Sequence, residues 1–202
     1  MSEPLKRVAH NLDRCCSEDD LGQPHLSSHN YKTHPLNKNF FKIIPNVDSD
    51  RRISFIDGGN CEIIGAPNFS VQLNRVYFNI FLGSNRIPPS RLQQRVQFIS
   101  TTFAIFRENE VFFDTNLLPI NETEKNLLPN DIDLSFNSMD QRLTLGGTRA
   151  DISRVASLAR RFAEWFLAAR VVDNELKNGD IVVMDGTLRT AFKNEAKYAI
   201  DA

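Results

Sequence analysis

The order of apolar and polar positions divides the chain into a polar beginning, a β-rich middle and a helical end. Residues 4–16 carry apolar side chains at helical spacing, which predicts a short amphipathic helix. Residues 17–39 are polar and contain two prolines, which is typical of a loop. Three histidines of this loop lack a cysteine pair at finger spacing, which favours surface positions over a metal site: His25, His29 and His34. We therefore assign residues 1–48 to an N-terminal helix-and-loop extension and residues 49–202 to one folded domain.

The middle of the chain is rich in β-branched and aromatic residues and predicts several strands. Residues 51–60 alternate and then reach two glycines, so we expect a strand that ends at Asp57. Residues 61–83 have the composition of further strands. In QFISTTFAIFRENEVFFDT, the four polar residues 107–110 predict the turn of a β-hairpin. An acidic connection, residues 116–147, leads to the last elements.

The last part contains the clearest helix of the sequence. Apolar residues recur at helical spacing from Ile152 to Ala169, and Asp151 or Thr148 can cap the first turn. The following DIVVMDGTL is a short, continuously apolar strand, which predicts burial on both faces. A helix that feeds a buried strand implies a crossover, so the last strand should run parallel to an earlier one. The predicted fold class is α/β, a mixed sheet with a long crossover helix and an N-terminal helical extension.

Composition is that of an ordinary globular protein, with 41% hydrophobic residues, 24% charged residues and a net charge of −1. This balance excludes a uniformly basic nucleic-acid coat protein. Apolar runs are shorter than the ~20 residues of a membrane helix, and the N-terminus lacks the apolar stretch of a secretory signal. Three cysteines, two of them adjacent, favour a reducing compartment over a disulfide framework. We expect a cytoplasmic protein that has no membrane partner.

The nearly neutral total conceals strong segregation of charge. Residues 63–107 contain five arginines and no acid, whereas residues 108–140 contain eight acids and one lysine. Because the planar fork of arginine suits bidentate contact with phosphate, the first stretch is a candidate path for nucleic acid; a solvated surface is the alternative. The candidate nucleic-acid-binding residues are Arg75, Arg86, Arg91 and Arg95. Aromatic residues of the same region either stack on bases or belong to the core: Phe69, Tyr77, Phe78 and Phe81.

Two apolar strands end in an aspartate followed by a glycine, ISFIDGG at Asp57 and IVVMDGTL at Asp185. If the last strand lies parallel to the first, both carboxylates emerge at the same edge of the sheet, where open α/β sheets bind ligands. Two such carboxylates repel each other unless a cation or a shared proton neutralises them. Hard oxygen ligands without nearby histidine or cysteine favour Mg²⁺ or Mn²⁺ over zinc. Ordinary Asp-Gly turns are the alternative interpretation.

A third carboxylate is expected from the helix, where Glu164 is the only acid within the apolar body. A helical wheel places Glu164 nearly opposite the main apolar stripe, on a side made of small residues. One interpretation is a solvent-facing glutamate that pairs with Arg160 or Arg161. The other is a helix buried on two sides, in which Glu164 points at Asp57 and a cation or an arginine neutralises its charge. Glu175 lies at nearly the same angle and is the fallback ligand.

ISFIDGGN, the helical RRFAEWFLAARVV and DIVVMDGTL together resemble the NurA nuclease family of archaeal and bacterial DNA-end-processing enzymes. The resemblance spans about residues 51–188 and implies a ribonuclease-H-like core. Family members carry an aspartate at an Asp-Gly-Gly or Asp-Gly-Ser strand end, a helical glutamate and an Asp-Gly-Ser-Leu motif. The matching catalytic and metal-binding residues are Asp57, Glu164 and Asp185, with Asp-Gly-Thr-Leu at the last motif.

The resemblance further implies two-metal hydrolysis of DNA phosphodiester bonds in recombinational repair, with Mn²⁺ or Mg²⁺ as the cofactor. It also implies a homodimer that works with a HerA-type hexameric ATPase. Family members continue beyond the last motif, so we expect the domain to be incomplete at Ala202 and leave the activity of this chain open. Two alternatives remain: a non-catalytic module that binds DNA or a partner ATPase, and a nuclease acting on RNA or junctions, because a fold alone does not choose the substrate.

Overall fold

The structure, a computed structural model, describes residues 6, 7, 10, 43, 49–144, 146–185, 192 and 194–198. The chain divides into two compact units, Met1–Val47 and Asp48–Ala202. In the first unit, Lys6, Arg7 and His10 are helical, in agreement with the helix predicted over residues 4–16. The rest of that helix and the loop with His25, His29 and His34 lie outside the described residues. Among the residues that are described, no helix combines the length and the apolar character needed to cross a membrane.

In the described part of the second unit, seven strands form one mixed sheet and two consecutive helices pack against it. The strands are β1 (Arg52–Ala66), β2 (Phe69–Leu82), β3 (Asn85–Ile87), β4 (Arg95–Arg107), β5 (Glu110–Pro119), β6 (Ser135–Asn137) and β7 (Ile181–Met184). The helices are α1 (Ile152–Ala156) and α2 (Leu158–Glu175), and 3₁₀ turns span Glu122–Leu127, Asp131–Leu134 and Glu195–Lys197.

The strand order is β6-β5-β4-β2-β1-β7, and β3 pairs with the outer part of β2. The β1–β7 pair is parallel, whereas the other described strand pairs are antiparallel. The long helix α2 precedes β7 and connects the antiparallel strands to it. The prediction of an α/β fold, in which a helical crossover makes the last strand parallel to the first, is therefore confirmed.

β1 is longer than the sequence predicted. It continues through Asp57 and the two glycines to Ala66, so the prediction that Asp57 ends the first strand is wrong. The strand continues because β2 pairs with it over its whole length, and these ladder hydrogen bonds outweigh the low strand propensity of glycine. Asp57 lies one residue beyond the described pairing of β7 with β1, which stops at Ile56.

The hairpin of β4 and β5 confirms the turn predicted at residues 107–110. Arg107 pairs with Glu110, and the backbone φ angles of the two intervening residues, Glu108 and Asn109, are 53° and 62°. Positive φ at both central positions is the geometry of a type I′ turn, whose twist matches that of the flanking strands.

α1 and α2 together form the predicted helix, with a break at Ser157. Asp151 is the N-cap, and its carboxylate accepts a hydrogen bond of 2.8 Å from the backbone N–H of Ser153. α2 is buried most of the way around, which agrees with the interpretation of a helix that is buried on two sides. Its buried residues are Ala159, Phe162, Ala163, Trp165, Leu167, Ala168, Val171 and Glu175.

The hydrophobic core lies between the helices and one face of the sheet, which we call the covered face. Alternate residues of the long strands are buried there: Ile56, Val76, Phe78, Ile80, Val96, Phe98, Phe113 and Leu117. The residues between them project from the opposite side, which we call the open face. Its apolar residues remain exposed in the described part of the chain: Phe55, Leu73, Phe103, Ile105, Leu118, Ile181 and Val183.

The predicted burial of the last strand on both faces is wrong. β7 is the outermost strand beside β1 in the described sheet, and Ile181 and Val183 are 40% and 38% exposed. Val182 and Met184 point the other way and pack against the core. The strand is continuously apolar, yet the described helices cover only one of its faces.

Candidate active site

Asp57 and Asp185 lie side by side at the point where β7 ends. Ile56 pairs with Met184 in the parallel register, so the two aspartates follow at equivalent positions of neighbouring strands. Strand alternation places Asp57 on the open face, opposite to Ile56. Both aspartates line one cavity of about 430 Å³. β1 and β7 are adjacent and parallel, as predicted, and Asp185 directly follows β7.

Both carboxylate oxygens of Asp57 accept hydrogen bonds. The backbone N–H of Gly58 donates to Oδ1 at 2.7 Å, and the hydroxyl of Tyr77 donates to Oδ2 at 2.9 Å. Tyr77 lies directly opposite Asp57 in the β1–β2 ladder. The hydrogen bond to Asp57 and the charge of that carboxylate raise the pKa of Tyr77. These contacts fix the orientation of the carboxylate.

Glu164 reaches β1 from the covered face. Its side chain is only 15% exposed, so the predicted solvent-facing position is wrong, whereas the ion pair with Arg160 that this interpretation included is present. A Cβ atom on Gly58 would lie 2.6 Å from Oε1 of Glu164 and 2.9 Å from Cγ1 of Val76, so glycine leaves the space that these two side chains occupy. The carboxylate thus packs against the residue after Asp57 and does not point directly at Asp57, because alternation turns the two strand residues to opposite sides.

An arginine neutralises the buried charge of Glu164. Arg160, one helical turn earlier, donates a hydrogen bond from Nη1 to Oε1 of Glu164 and forms an ion pair with it. The same guanidinium donates to the carbonyl of Gly58 at 3.4 Å and to Oδ1 of Asn60 at 3.1 Å. Burial raises the pKa of Glu164 above its ordinary value, the charge of Arg160 opposes this, and the charge of Asp57 adds to it. The expected compensation by an arginine is confirmed.

A second cavity, of about 220 Å³, lies on the helix side of the same edge. Glu164 and Asp185 both line it, together with Arg160 and Arg161. Asp185 therefore borders the cavities of both faces. Among the described residues, no three side chains of histidine, cysteine, aspartate or glutamate are grouped so that they could hold a metal ion.

Glu175, the fallback ligand, has a different partner. Its buried carboxylate accepts hydrogen bonds from the backbone N–H groups of Ser90, Arg91 and Leu92, at 2.8, 2.6 and 2.7 Å. The hydroxyl of Ser90 also donates to it, at 2.9 Å. Burial alone would raise the pKa of Glu175, but these hydrogen bonds hold it below its ordinary value. Glu175 therefore anchors the connection between β3 and β4.

Three of the four candidate arginines meet on the open face. They line a cavity of about 580 Å³, which we call the arginine cavity, formed by Arg75, Tyr77, Asn79, Arg86, Gln93, Gln94 and Arg95. Within the described residues, Arg75, Arg86 and Arg95 have no ion-pair partner. Arg91 is exposed and does not line the cavity. Tyr77 and Asn79 line this cavity and also the one of Asp57 and Asp185, so the two sites adjoin.

Sequence reasoning missed two residues of this site. Tyr77 was considered as a base-stacking or core residue, whereas its hydroxyl orients Asp57. Gly58 was interpreted as part of a turn, whereas it lies within β1 and admits Glu164. The signal for Tyr77 is the strand register, because residues directly opposite in a ladder share a face.

No family model matches the sequence, and no curated protein and no solved structure is significantly similar to it. The function must therefore be inferred from the chemistry of the site.

Proposed function

We propose that this protein is a metal-dependent nuclease with a ribonuclease-H-like core that hydrolyses DNA phosphodiester bonds. One observation carries the proposal: the carboxylates of Asp57 and Asp185 share a cavity that adjoins the arginine cavity on the same face. Carboxylates suit hard divalent cations, and arginine suits phosphate. In metal-assisted phosphodiester hydrolysis the cation lies beside the phosphate, so a phosphate-binding surface next to the carboxylates supports this activity.

The donor set fits Mn²⁺ or Mg²⁺ in its chemistry. Asp57 and Asp185 offer oxygen ligands from adjacent strands, and Glu164 approaches the same edge from the helix side, where Gly58 leaves room for it. In the proposed site Asp57 and Asp185 would hold the cations, and Glu164 would join them by exchanging its ion pair with Arg160 for a cation. When bound, such cations activate a water molecule and stabilise the departing 3′-oxygen.

The side chains of the protein bind and orient the strand. Tyr77 and the backbone N–H of Gly58 hold the Asp57 carboxylate in one orientation. The side chain of Asp57 therefore loses less conformational entropy when a ligand binds to it. Arg75 and Arg95 project from neighbouring strands toward the same space, where their guanidinium groups donate bidentate hydrogen bonds to phosphate oxygens. The affinity for DNA should fall as the salt concentration rises, because phosphate contacts release counterions.

The proposal extends to the setting that the NurA resemblance implies. This is the processing of DNA ends by a cytoplasmic homodimer that works with a HerA-type hexameric ATPase. The open apolar face is compatible with a further protein surface, because exposed apolar patches often mark interaction sites.

Cleavage of end-labelled DNA by the full chain with Mn²⁺ or Mg²⁺ tests the proposal. Asp57→Asn and Asp185→Asn remove one charge each at nearly constant shape. We expect each variant to cleave DNA at least about 100-fold more slowly than the wild type. Substitution of a residue that only supports a metal ligand typically costs up to about 100-fold, so a larger loss indicates a direct ligand. Asp173→Asn is the matched control, because Asp173 is exposed on α2 and lines none of these cavities.

Thermal unfolding provides a second measurement that does not depend on turnover. Mn²⁺ should raise the unfolding temperature of the wild type and of Asp173→Asn, but not that of Asp57→Asn, because a bound cation stabilises only the folded state. Cleavage by Asp57→Asn and Asp185→Asn at the wild-type rate would show that the nuclease proposal is wrong.

The second candidate is a non-catalytic module that binds DNA. The observation in its favour is the ion pair between Arg160 and Glu164, which neutralises the buried carboxylate without a metal. Such a module would bind DNA through the arginine cavity, and Mn²⁺ would change neither its stability nor the DNA. The same two measurements therefore separate the two functions.

A further inference from the structure

Arginine side chains from three different strands line the arginine cavity. Tyr77 and Arg95 lie opposite each other in the β2–β4 ladder, and Arg75 is two residues before Tyr77 on the same face. Arg86 comes from β3, where it pairs with Phe81 at the far end of β2. Three strands thus contribute arginines to one space, which alternation along a single strand would not produce.

The remaining wall of the cavity is polar and contains no acid. The side-chain amide of Gln94 donates to Oδ1 of Asn79 and to the carbonyl of Phe78, both at 2.9 Å. These two hydrogen bonds fix the wall, while the three arginines have no carboxylate partner within the described residues. A fixed polar wall with three cations is suited to a compact group of high negative charge.

We propose that the arginine cavity binds the terminal phosphate of a nucleic-acid strand, an inference that rests on the proposed nuclease function. A phosphate monoester carries a charge of about −1.5 to −2 at neutral pH and three acceptor oxygens. A phosphodiester within a strand carries a single charge and has fewer free oxygens. Three guanidinium groups match the terminal group better than the internal one.

The spacing to the carboxylates then sets where the strand is cut. Asp57, Tyr77 and Arg95 are consecutive across β1, β2 and β4, so the backbones of Asp57 and Arg95 are about 10 Å apart, two strand spacings. A stacked strand advances about 3.4 Å per nucleotide, so this span corresponds to roughly three nucleotides. A strand end held in the arginine cavity places a nearby phosphodiester beside Asp57 and Asp185, which predicts short products.

Binding of fluorescent oligonucleotides to the full chain in EDTA tests this proposal. Three strands of one sequence carry a 5′-phosphate, a 3′-phosphate or hydroxyl groups at both ends. The wild type should bind one phosphorylated strand at least tenfold more tightly than the hydroxyl strand. Arg75→Ala and Arg95→Ala should reduce this preference to less than twofold. Arg154→Ala is the matched control, because Arg154 is exposed on α1 in the helix layer, and it should keep the preference.

Competition identifies the source of the phosphate. Inorganic phosphate and a 5′-mononucleotide should displace the phosphorylated strand only at much higher concentrations, because they lack the contacts of the following nucleotides. Equal binding of the three strands by the wild type, or a preference that survives in Arg75→Ala and Arg95→Ala, would overturn the proposal. Tight binding of the mononucleotide without any preference for a phosphorylated strand would overturn it too, since the cavity would then hold a free nucleotide.

Because binding is measured in EDTA, where no divalent cation is free, the end preference is tested independently of the proposed cleavage activity. End preference without cleavage in Mn²⁺ would show that the cavity binds strand ends although the carboxylates are not catalytic. Cleavage without end preference would support the nuclease and refute the terminal-phosphate site.

Discussion

The same strands contribute core residues to the covered face of the sheet and site residues to its open face. On the covered face, Val76 of β2 and Val96 of β4 are fully buried. One residue before each, on the open face, Arg75 and Arg95 line the arginine cavity. Because successive side chains point to opposite sides, one strand supplies apolar packing to the core and charged groups to the site. A shift of the register by one residue would exchange these roles.

Glu164 and Glu175 connect the helix layer to the other parts of the fold. Glu164 contacts β1 at Gly58. Glu175 accepts hydrogen bonds from the connection between β3 and β4, and Gln93 and Gln94 of that connection line the arginine cavity. Two carboxylates of the helix layer thus contact backbone that lies next to the cavities of the open face. Substitutions on the covered face should therefore affect stability most, and those on the open face mainly binding.

The largest difference is expected between two phenylalanines of β4. Phe98 on the covered face is 0% exposed, whereas Phe103 on the open face is 43% exposed. Phe98→Ala should lower the free energy of unfolding by about 3–5 kcal/mol, because it removes a whole ring from a packed core. Phe103→Ala should cost less than about 1 kcal/mol. Chemical denaturation of both variants measures the difference. Equal losses would mean that the open face is packed as tightly as the covered face.

A smaller difference is expected between the adjacent glycines of β1. A Cβ on Gly58 would lie 2.6 Å from Oε1 of Glu164 and 2.9 Å from Cγ1 of Val76, whereas a Cβ on Gly59 has no neighbour within 4 Å. Gly58→Ala should therefore destabilise the fold by about 1–3 kcal/mol through overpacking. Gly59→Ala is the matched control and should stay within about 0.5 kcal/mol of the wild type. Thermal unfolding distinguishes them, and equal stability of the two variants would show that Glu164 and Val76 move aside without loss.

The smallest effect is expected for Glu175→Gln, and it should depend on pH. The variant keeps one acceptor oxygen but loses the charge that holds the loop N–H groups, so we expect a loss of about 1–2 kcal/mol at neutral pH. Because the folded-state pKa of Glu175 is lowered from 4.5, its contribution is complete above that pH and is lost as the pH falls below it. The stabilities of wild type and variant should converge in acid. A difference that stays constant with pH would assign the loss to packing instead of charge.

Several features of the fold depend on local physics, and the sequence predicted them. The polar residues between two β-rich stretches gave the β4–β5 turn, and apolar spacing with Asp151 at the start gave the long helix. A helix followed by an apolar strand implied a crossover, which places β7 parallel to β1 and Asp185 next to Asp57. Each of these inferences uses residues that are close together in the chain or a general rule of chain connection.

The limits of such reasoning are clearest where β1 forms its hairpin with β2. A register shift between Glu62 and Ile64 separates two registers of the ladder. Continued without the shift, the pairing of Ala66 with Phe69 would set Asp57 opposite Phe78; with the shift, Asp57 lies opposite Tyr77. An irregularity of one residue therefore decides which side chain donates to the carboxylate, and the composition of a strand does not reveal where one occurs.

By itself, the sequence determined the kinds of elements, their order and the two aspartates that follow apolar residues in β1 and β7. Only the tertiary structure decided that Glu164 packs against Gly58, that Arg160 pairs with Glu164 while also reaching Gly58 and Asn60 of β1, and that three arginines from β2, β3 and β4 enclose one cavity. The physical reason is that these arrangements bring together side chains of separate strands and of the helix. Their geometry depends on strand register and helix packing, which the whole fold fixes at once and no local pattern encodes.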